Sequence, residues 1–257
     1  MRHFLPFVVI ILLSGLITCK VQDEQLSPDL LHFDATGDTM ALDLAAQVLE
    51  TNGGQQAWSE SRYVAWTFFG RRRLVWDKWG QQVRIHYTDG SMDMSLHIPD
   101  TTGMVWKNGV VMSEPDSLDK YLNQAYRIWI NDSYWLLMPF KLRDPGVHLS
   151  YIERDTTQNG TSADVLEMEF TAVGVTPQNK YHIWIGGEPK EVLQWAYYRN
   201  AQDSLPGFTN LWTNYQPYEP TGIVLSSGRG PGREMGDIKV YKELPEQTFS
   251  EVTATNW

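Results

Sequence analysis

Four histidines in the body of the chain are the first residues whose side chains could bind a metal ion: His86, His97, His148 and His182. Each lies alone in a stretch that reads as a β-strand, and no two stand four residues apart, the spacing that brings two ligands to one helix face. The chain contains a single cysteine, Cys19. A zinc site needs three or four ligands, usually cysteine or histidine, that converge on one point. The sequence therefore predicts structural histidines, no metal site and no cofactor.

Signatures of nucleophilic and phosphate chemistry are also missing from the sequence. No Gly-x-Ser-x-Gly motif is present, and the glycine-rich segment 226–232 lacks the Gly-Lys-Ser/Thr ending and the following helix of a phosphate-binding loop. Paired carboxylates could hydrolyse a glycoside. However, Glu167 and Glu169 alternate with apolar residues and are expected on a solvent-exposed strand face. We therefore expect a binding protein rather than an enzyme, and we assign no catalytic residue.

Aromatic residues are the strongest remaining signal. The chain has 11 Trp, 12 Tyr and 9 Phe, which is more than a sheet with one covered face needs. Three interpretations stay open: a large aromatic core, an apolar ligand cavity, or an exposed row of rings on which sugars stack. Methionines suit the cavity, because their flexible thioethers adapt to ligands of different shape. The candidate ligand-binding residues are Trp66, Phe68, Met92, Met94, Trp129, Asp132, Trp135, Met138, Lys141 and Trp195.

A central stretch, IWINDSYWLLMPFKLRDPG at residues 128–146, carries several of these candidates and divides the chain into two halves. Before it, apolar residues at i, i+3 and i+4 spacing predict a helix over Ser117–Ile130. Asp116 stands where an N-cap belongs, and Pro115 prevents the helix from extending further back. We therefore expect this helix to begin a lid that lies over a β core.

Asp132 has two compatible roles in this interpretation. Residues 131–133 can cap a second short turn, which Pro139 then ends. The same carboxylate can pair with Lys141 or Arg143, which follow within the stretch. The sequence thus predicts a broken helix whose second segment is capped by Asp132.

Alternating polar and apolar residues predict antiparallel strands on both sides of this lid. The first set is Arg62–Phe69, Arg72–Trp79, Gln82–Thr88, Ser91–Ile98, Gly103–Lys107 and Val110–Met112. The second set is Val147–Arg154, Asp164–Thr171, Tyr181–Ile185, Lys190–Tyr198, Phe208–Tyr215, Gly222–Leu225 and Asp237–Lys242. A helix over Met40–Glu50 and a turn over Gln55–Glu60 precede them. We predict a mainly β, α+β fold: a highly curved antiparallel sheet, or incomplete β-barrel, with an N-terminal helix and a central helical lid.

The first 18 residues have the features of a signal peptide. Arg2 provides a positive charge, and Phe4–Leu13 is an apolar segment of the usual length. The following Leu16-Ile17-Thr18-Cys19 resembles the lipobox of bacterial lipoproteins, in which the cysteine is lipidated and becomes the N-terminus. Thr18 departs from the Gly, Ala or Ser that usually precedes this cysteine. An ordinary secretory signal is the alternative, but we predict a lipid anchor on Cys19.

The predicted domain organisation follows from this anchor. Residues 19–38 are polar and read as a tether, and residues 39–257 fit a single half-barrel domain. Removal of residues 1–18 takes away Arg2 and changes the formal net charge from −10 to −11. A strongly acidic surface argues against nucleic acid as a partner. We expect a membrane partner only through the lipid anchor.

Two motifs carry a resemblance to a known family. The segments IWINDSYWLLMPFKLRDPGV at residues 128–147 and GVTPQNKYHIWI at residues 174–185 resemble those of an uncharacterised family of Gram-negative bacterial lipoproteins. The predicted architecture is similar to the half-barrel of the lipoprotein carriers of the outer-membrane sorting pathway. This resemblance implies a cell-envelope location, lipid-anchored in the outer membrane and facing the periplasm or the cell surface. It implies no reaction.

The expected function follows from the lid and the aromatic residues. We expect a non-catalytic envelope lipoprotein that binds a lipid, an acyl chain or another apolar small molecule between the curved sheet and the lid. One alternative is a glycan-binding or glycan-processing envelope lipoprotein. Another is a structural component of an envelope complex.

Overall fold

The computed structural model describes residues 31, 33–171, 174–252 and 257. The predicted signal peptide 1–18, the lipidation site Cys19 and most of the tether 19–38 lie outside the described residues. Within the described ranges, none of the helices has the length and hydropathy that a membrane crossing requires.

The described chain is built from three α-helices and fifteen strands, with a 3-10 turn near the C-terminus at Glu246–Phe249. The helices are α1 (Thr39–Thr51), α2 (Gly54–Glu60) and α3 (Pro115–Lys141). The strands before α3 are β1 (Thr36–Gly37), β2 (Tyr63–Phe68), β3 (Arg72–Asp77), β4 (Gln82–Tyr87), β5 (Met92–His97), β6 (Thr102–Lys107) and β7 (Val110–Val111). The strands after it are β8 (Val147–Thr156), β9 (Ser162–Phe170), β10 (Lys180–Ile185), β11 (Val192–Tyr198), β12 (Phe208–Leu211), β13 (Thr213–Tyr218), β14 (Ile223–Gly228) and β15 (Met235–Tyr241).

These strands form two large sheets and a hairpin. One sheet has seven antiparallel strands in the order β15-β2-β3-β4-β5-β6-β7, so the predicted meander before α3 is confirmed. The other has six strands in the order β1-β8-β9-β10-β11-β12, in which the short β1 runs parallel to β8. Strands β13 and β14 form the hairpin. The sheets are highly curved and are not closed into a barrel, which confirms the predicted mainly β, α+β fold with an incomplete barrel.

The hairpin connects the two large sheets along the chain. Only Trp212 separates β12 from β13, so the chain leaves the six-stranded sheet and enters the hairpin almost without interruption. At the other side, a β-bridge between Gly228 and Glu234 joins the end of β14 to the start of β15. Strand β1 therefore ends the six-stranded sheet on one side, and β7 ends the seven-stranded sheet on the other.

Helices α1 and α2 form where the sequence predicts them. The Asp38 carboxylate accepts a hydrogen bond from the Ala41 amide at 2.8 Å, which makes Asp38 the N-cap of α1. The same carboxylate accepts from the Tyr151 amide of β8 at 2.7 Å, so that one side chain fixes α1 to the six-stranded sheet. These backbone hydrogen bonds lower the pKa of Asp38. In α2, Trp58 is buried and stacks on Phe140 of α3 with the ring centroids 4.9 Å apart.

Helix α3 differs from the prediction, because it is one continuous helix of 27 residues rather than a broken one. It begins two residues earlier than predicted, since Glu114 and not Asp116 provides the N-cap, accepting from the Ser117 amide at 2.7 Å. It also continues through residues 131–133 and through Pro139. The prediction that Pro139 ends the helix is therefore wrong.

The core lies on both sides of α3. One cluster of buried apolar side chains joins α2, α3 from Leu122 to Phe140, the hairpin and the concave face of the seven-stranded sheet. A second cluster joins α1, the end of α3 and the concave face of the six-stranded sheet. Trp135 packs against both clusters. Helix α3 is therefore the element around which the two sheets close.

Candidate functional site around helix α3

The structure brings most of the candidate ligand-binding residues together around α3. Those packed in or against the cluster of the seven-stranded sheet are Trp66, Phe68, Met92, Met94, Trp129 and Trp135. Met138 and Trp195 lie in the cluster of the six-stranded sheet. Lys141 does not join them, because its ammonium group pairs with Asp144 at 2.7 Å, at the C-terminal end of the helix.

The role predicted for Asp132 is wrong, because it is neither a helix cap nor a partner of Lys141 or Arg143. Asp132 lies inside α3, fully buried, and both of its oxygens accept from Arg72 of β3 at 3.0 Å. Asn131 donates to the same carboxylate at 2.9 Å. Burial raises the pKa of Asp132, while the hydrogen bonds and the charge of Arg72 oppose that rise. This two-point ion pair fixes the middle of α3 to the seven-stranded sheet.

A second arginine, Arg229, binds the next turn of α3. Pro139 has no N–H, so the carbonyl of Trp135, four residues earlier, lacks its helical hydrogen bond. Arg229 supplies the missing donors: its Nε and Nη2 donate to the Trp135 oxygen at 3.0 and 2.5 Å. Its Nη1 donates to the Ser226 hydroxyl at 2.8 Å and to the Gly228 carbonyl at 2.7 Å. The proline is therefore accommodated inside the helix by a side chain from the end of β14.

Arg229 is almost completely buried and has no carboxylate among the hydrogen-bond acceptors that the described chain provides. Its guanidinium lies 3.5 Å from the centroid of the Trp212 ring, a cation–π contact. Burial lowers the pKa of Arg229 to about 9, so the group stays protonated at neutral pH. Sequence reasoning missed this residue, although segment 226–232, weighed above as a phosphate loop, contains it. One signal in the sequence could have pointed to Arg229. Pro139 lies within an apolar helical pattern, and a proline inside a helix leaves a carbonyl that needs a hydrogen-bond donor from another part of the chain.

The two halves of α3 are held very differently. In residues 132–141 seven of the ten side chains are buried, and both arginines bind this half. In residues 115–131 only Leu122 and Ala125 are buried, and the other apolar side chains rest half-exposed on the sheet. One side-chain hydrogen bond, from Gln124 to the Tyr87 hydroxyl at 3.3 Å, joins this first half to the seven-stranded sheet in the described chain.

This difference leads to a first prediction about motion. Amides of residues 118–128 should exchange with deuterium about ten times faster than those of residues 134–141, because the first half has fewer buried contacts. Native-state hydrogen exchange measures this directly, with the amides of β4 as the protected reference. Equal protection along the whole of α3 would show that the first half is as firmly fixed as the second.

Buried tryptophans around α3 leave polar atoms without partners. In the described chain, buried indole N–H groups with no acceptor belong to Trp58, Trp66, Trp76, Trp129, Trp195 and Trp212. Trp129 of α3 packs edge-on against Trp76 of β3 at 5.4 Å, and Trp76 packs likewise against Trp58 at 6.2 Å. A buried donor without an acceptor destabilises the fold by about 1–3 kcal/mol. The interior around α3 is therefore lined mainly by apolar side chains, but it also contains several buried indole N–H groups without acceptors.

The other candidate chemistries gain no site from the geometry. Among the described residues, no group of three or more His, Cys, Asp or Glu side chains is arranged to hold a metal ion. The histidines are dispersed, each with its own polar contact: His86 with Asp93, His97 with Asp100, His148 with Thr36, and His182 with Glu167. The tryptophans of the candidate set face the core, so they do not form an exposed row for sugars.

Comparison with known proteins yields one distant structural similarity. No protein-family profile and no curated protein matches the sequence. A crystal structure of a DUF1329 family protein from Desulfovibrio piger ATCC 29098 is similar over 82% of this chain and 96% of that chain, with 12% sequence identity and a TM-score of 0.40. The DUF1329 family is uncharacterised. A similarity this distant assigns neither a family nor a function to the chain.

Proposed function

We propose that this protein is an envelope lipoprotein that binds a lipid or another acyl-chain amphiphile between the first half of α3 and the concave face of the seven-stranded sheet. The observation that carries the proposal is the unequal attachment of α3. Residues 132–141 are fixed by two arginines, whereas residues 115–131 rest on an apolar sheet face through side-chain packing and one hydrogen bond. A segment attached in this way can lift while its other end stays in place.

The ligand takes the place of helix side chains in this proposal. In the closed form, Leu122, Ala125 and Trp129 cover the concave face, where Met94, Leu96 and Val105 are buried. When the helix lifts, an acyl chain would replace the apolar contacts that its side chains made with the sheet. Keeping this apolar surface from water is favourable by about 25 cal/mol per Å². Met92 and Met94 add side chains that can repack around different chains.

The unsatisfied indole groups narrow the chemical class of the ligand. Trp129, Trp76 and Trp58 lie in one chain of ring contacts, and their N–H groups have no acceptor within the described residues. A pure hydrocarbon would leave these donors as they are, whereas ester or carboxylate oxygens would accept from them. We therefore propose an amphiphile with oxygen acceptors, such as a fatty acid or a phospholipid, rather than a hydrocarbon.

The N-terminal anchor belongs to the same proposal. A lipidated Cys19 would hold the domain at the outer membrane, facing the periplasm or the cell surface, and the polar residues after it would serve as the tether. Metabolic labelling with an alkyne fatty acid tests this part on its own. Label should attach to the native chain and be absent from Cys19→Ser.

The binding proposal is tested on the full chain carrying Cys19→Ser, which cannot be lipidated. Native mass spectrometry of this protein from a Gram-negative host should show one bound lipid, and added fatty acid or phospholipid should raise its Tm. Trp129→Phe keeps an aromatic ring, although a smaller one, and removes one donor, so we expect about tenfold weaker binding of fatty acid, the effect of one lost hydrogen bond.

A matched control separates this effect from a general loss of tryptophan. Trp184→Phe removes an indole that donates to Asp155 at 3.2 Å and lies in a cluster away from α3. This variant should bind fatty acid like the parent protein. A native mass without any adduct, together with an unchanged Tm on adding both lipids, would contradict the proposal.

A further inference from the structure

A cleft lies on the opposite, convex face of the seven-stranded sheet. It has a volume of about 420 Å³ and is formed between β2, β3, β4 and the C-terminal segment that includes the 3-10 turn. Along β2, Tyr63 and Ala65 face this side, whereas Val64, Trp66 and Phe68 face the core around α3. The cleft is therefore separated from the proposed lipid site by the sheet itself.

Arg62 forms a rigid donor in this cleft. Its Nε and Nη2 donate to the two oxygens of the buried Asp77, both at 3.1 Å. Asp77 is held in turn by the Gly80 amide at 2.9 Å. The guanidinium also lies 4.6 Å from the centroid of the Tyr63 ring and 5.4 Å from that of Trp79. The remaining Nη1 has no hydrogen-bond acceptor in the described chain, so it is a fixed donor that a ligand can use.

Apolar ring surface forms one side of the same cleft. The rings of Tyr63 and Phe249 lie within 26° of parallel, with their centroids 6.4 Å apart, and Leu244 packs beside them. Burial raises the pKa of Tyr63, and the negative charges of Asp77 and Glu243 raise it further. The Tyr63 hydroxyl therefore keeps its proton at neutral pH and can donate a hydrogen bond.

Carboxylates occupy the rim. Glu243 and Glu246 are exposed, line the cleft and form no ion pair within the described residues. Because Arg62 and Asp77 neutralise each other, the lining carries two uncompensated negative charges. An anionic ligand such as a phosphate or a lipid head group would be repelled. The carboxylates of Glu243 and Glu246 accept hydrogen bonds at the rim, and Arg62 donates one inside the cleft. This arrangement fits a neutral ligand whose groups can both donate and accept hydrogen bonds.

We propose that this cleft binds a neutral saccharide unit. Sugar hydroxyls can accept from Arg62 Nη1 and from the Gln82 amide while they donate to Glu243 and Glu246, and the apolar face of a pyranose ring can stack on Phe249. An ammonium ligand would satisfy only the carboxylates, because it has no acceptor for the guanidinium. The volume lies within the range of small-molecule pockets, roughly 300–1,000 Å³. The proposal rests on different residues from the lipid site and does not depend on it.

The test begins with the full chain carrying Cys19→Ser on an array of neutral oligosaccharides built from glucose, galactose, mannose and N-acetylhexosamine. The best hit is then titrated by isothermal calorimetry. Phe249→Ala should weaken binding about tenfold, since aromatic stacking contributes about 0.5–1.5 kcal/mol beyond the buried area. Glu246→Gln, an exposed change that leaves the fold intact, should weaken binding severalfold. Trp129→Phe, on the other face of the sheet, should leave saccharide binding unchanged.

Three results would overturn the proposal. The first is an array without a hit, and the second is a hit whose affinity neither Phe249→Ala nor Glu246→Gln alters. The third is binding of spermidine without binding of any neutral sugar, lost in Glu246→Gln, which would identify a cation site instead. Failure here leaves the lipid proposal untouched, because fatty-acid binding is measured separately and responds to Trp129→Phe and not to Phe249→Ala.

Discussion

Asp132→Ala should lower the free energy of unfolding by about 3–5 kcal/mol, the usual effect of removing one partner of a buried ion pair. Asp132 is fully buried, and its partner Arg72 is mostly buried as well. Without the carboxylate, the guanidinium of Arg72 keeps, among the described residues, its contacts with the rings of Phe68 and Tyr87, at 5.1 and 6.0 Å. The loss comes from a charge left without a partner, because alanine itself is favourable inside a helix. Urea denaturation of the parent and the variant measures it.

The matching double variant distinguishes this cause from simple loss of packing. In Arg72→Met with Asp132→Leu, neither charge remains and both side chains are apolar and of related size. We expect this protein to recover most of the stability lost by Asp132→Ala, since well-packed apolar pairs often replace buried ion pairs without loss. A double variant less stable than Asp132→Ala would show that the ion pair itself stabilises the fold. The instability of Asp132→Ala would then not come from the unpaired charge of Arg72.

Arg229→Met should also be strongly destabilising, by about 3 kcal/mol, because it leaves the carbonyls of Trp135 and Gly228 without the donors that Arg229 supplies. The cation–π contact with Trp212 is lost at the same time. The effect should be concentrated in α3, so near-ultraviolet circular dichroism from the surrounding aromatic rings should change along with the urea midpoint. A loss below about 1 kcal/mol would mean that water or a shifted helix replaces the arginine.

Pro139→Ala provides a double-mutant cycle for this interpretation. An alanine at this position supplies the N–H that the Trp135 carbonyl lacks. In the Arg229→Met background, Pro139→Ala should therefore recover about 1 kcal/mol more than it contributes in the parent protein. Equal effects of Pro139→Ala in both backgrounds would show that the proline and the arginine act independently.

Local patterns in the sequence were sufficient for most of the fold. The strand predicted over Gln82–Thr88 and the helix predicted over Met40–Glu50 each depend on residues close together in the chain, and each forms within one residue of the predicted bounds. The six confirmed strands before α3 pair only with neighbours in sequence apart from β2, which also pairs with β15. Short-range turn chemistry and period-2 patterns are therefore enough to define that meander.

The site was predicted only in part, because tertiary contacts override local signals there. Asn131-Asp132-Ser133 has the composition of a cap, yet the helix continues because Arg72, 60 residues away, binds the carboxylate. Pro139 has the character of a terminator, yet Arg229, 94 residues from Trp135, replaces the missing hydrogen bond. Neither partner can be identified from periodicity. The aromatic residue types left burial and exposure both open, and the tertiary structure places the candidate tryptophans against the core.

The parallel pairing of β1 with β8 has a consequence for how these molecules behave at high concentration. An open sheet offers its free edge strands as templates for joining other chains into aggregates. Here β1 already occupies one edge for two residues, where a Cβ on Gly37 would lie 2.0 Å from the Leu149 carbonyl oxygen, so only glycine allows so close an approach. At the other edge, β7 extends for only Val110 and Val111. These two short strands therefore cover part of β8 and part of β6, which shortens the ladder on which neighbouring molecules could polymerise.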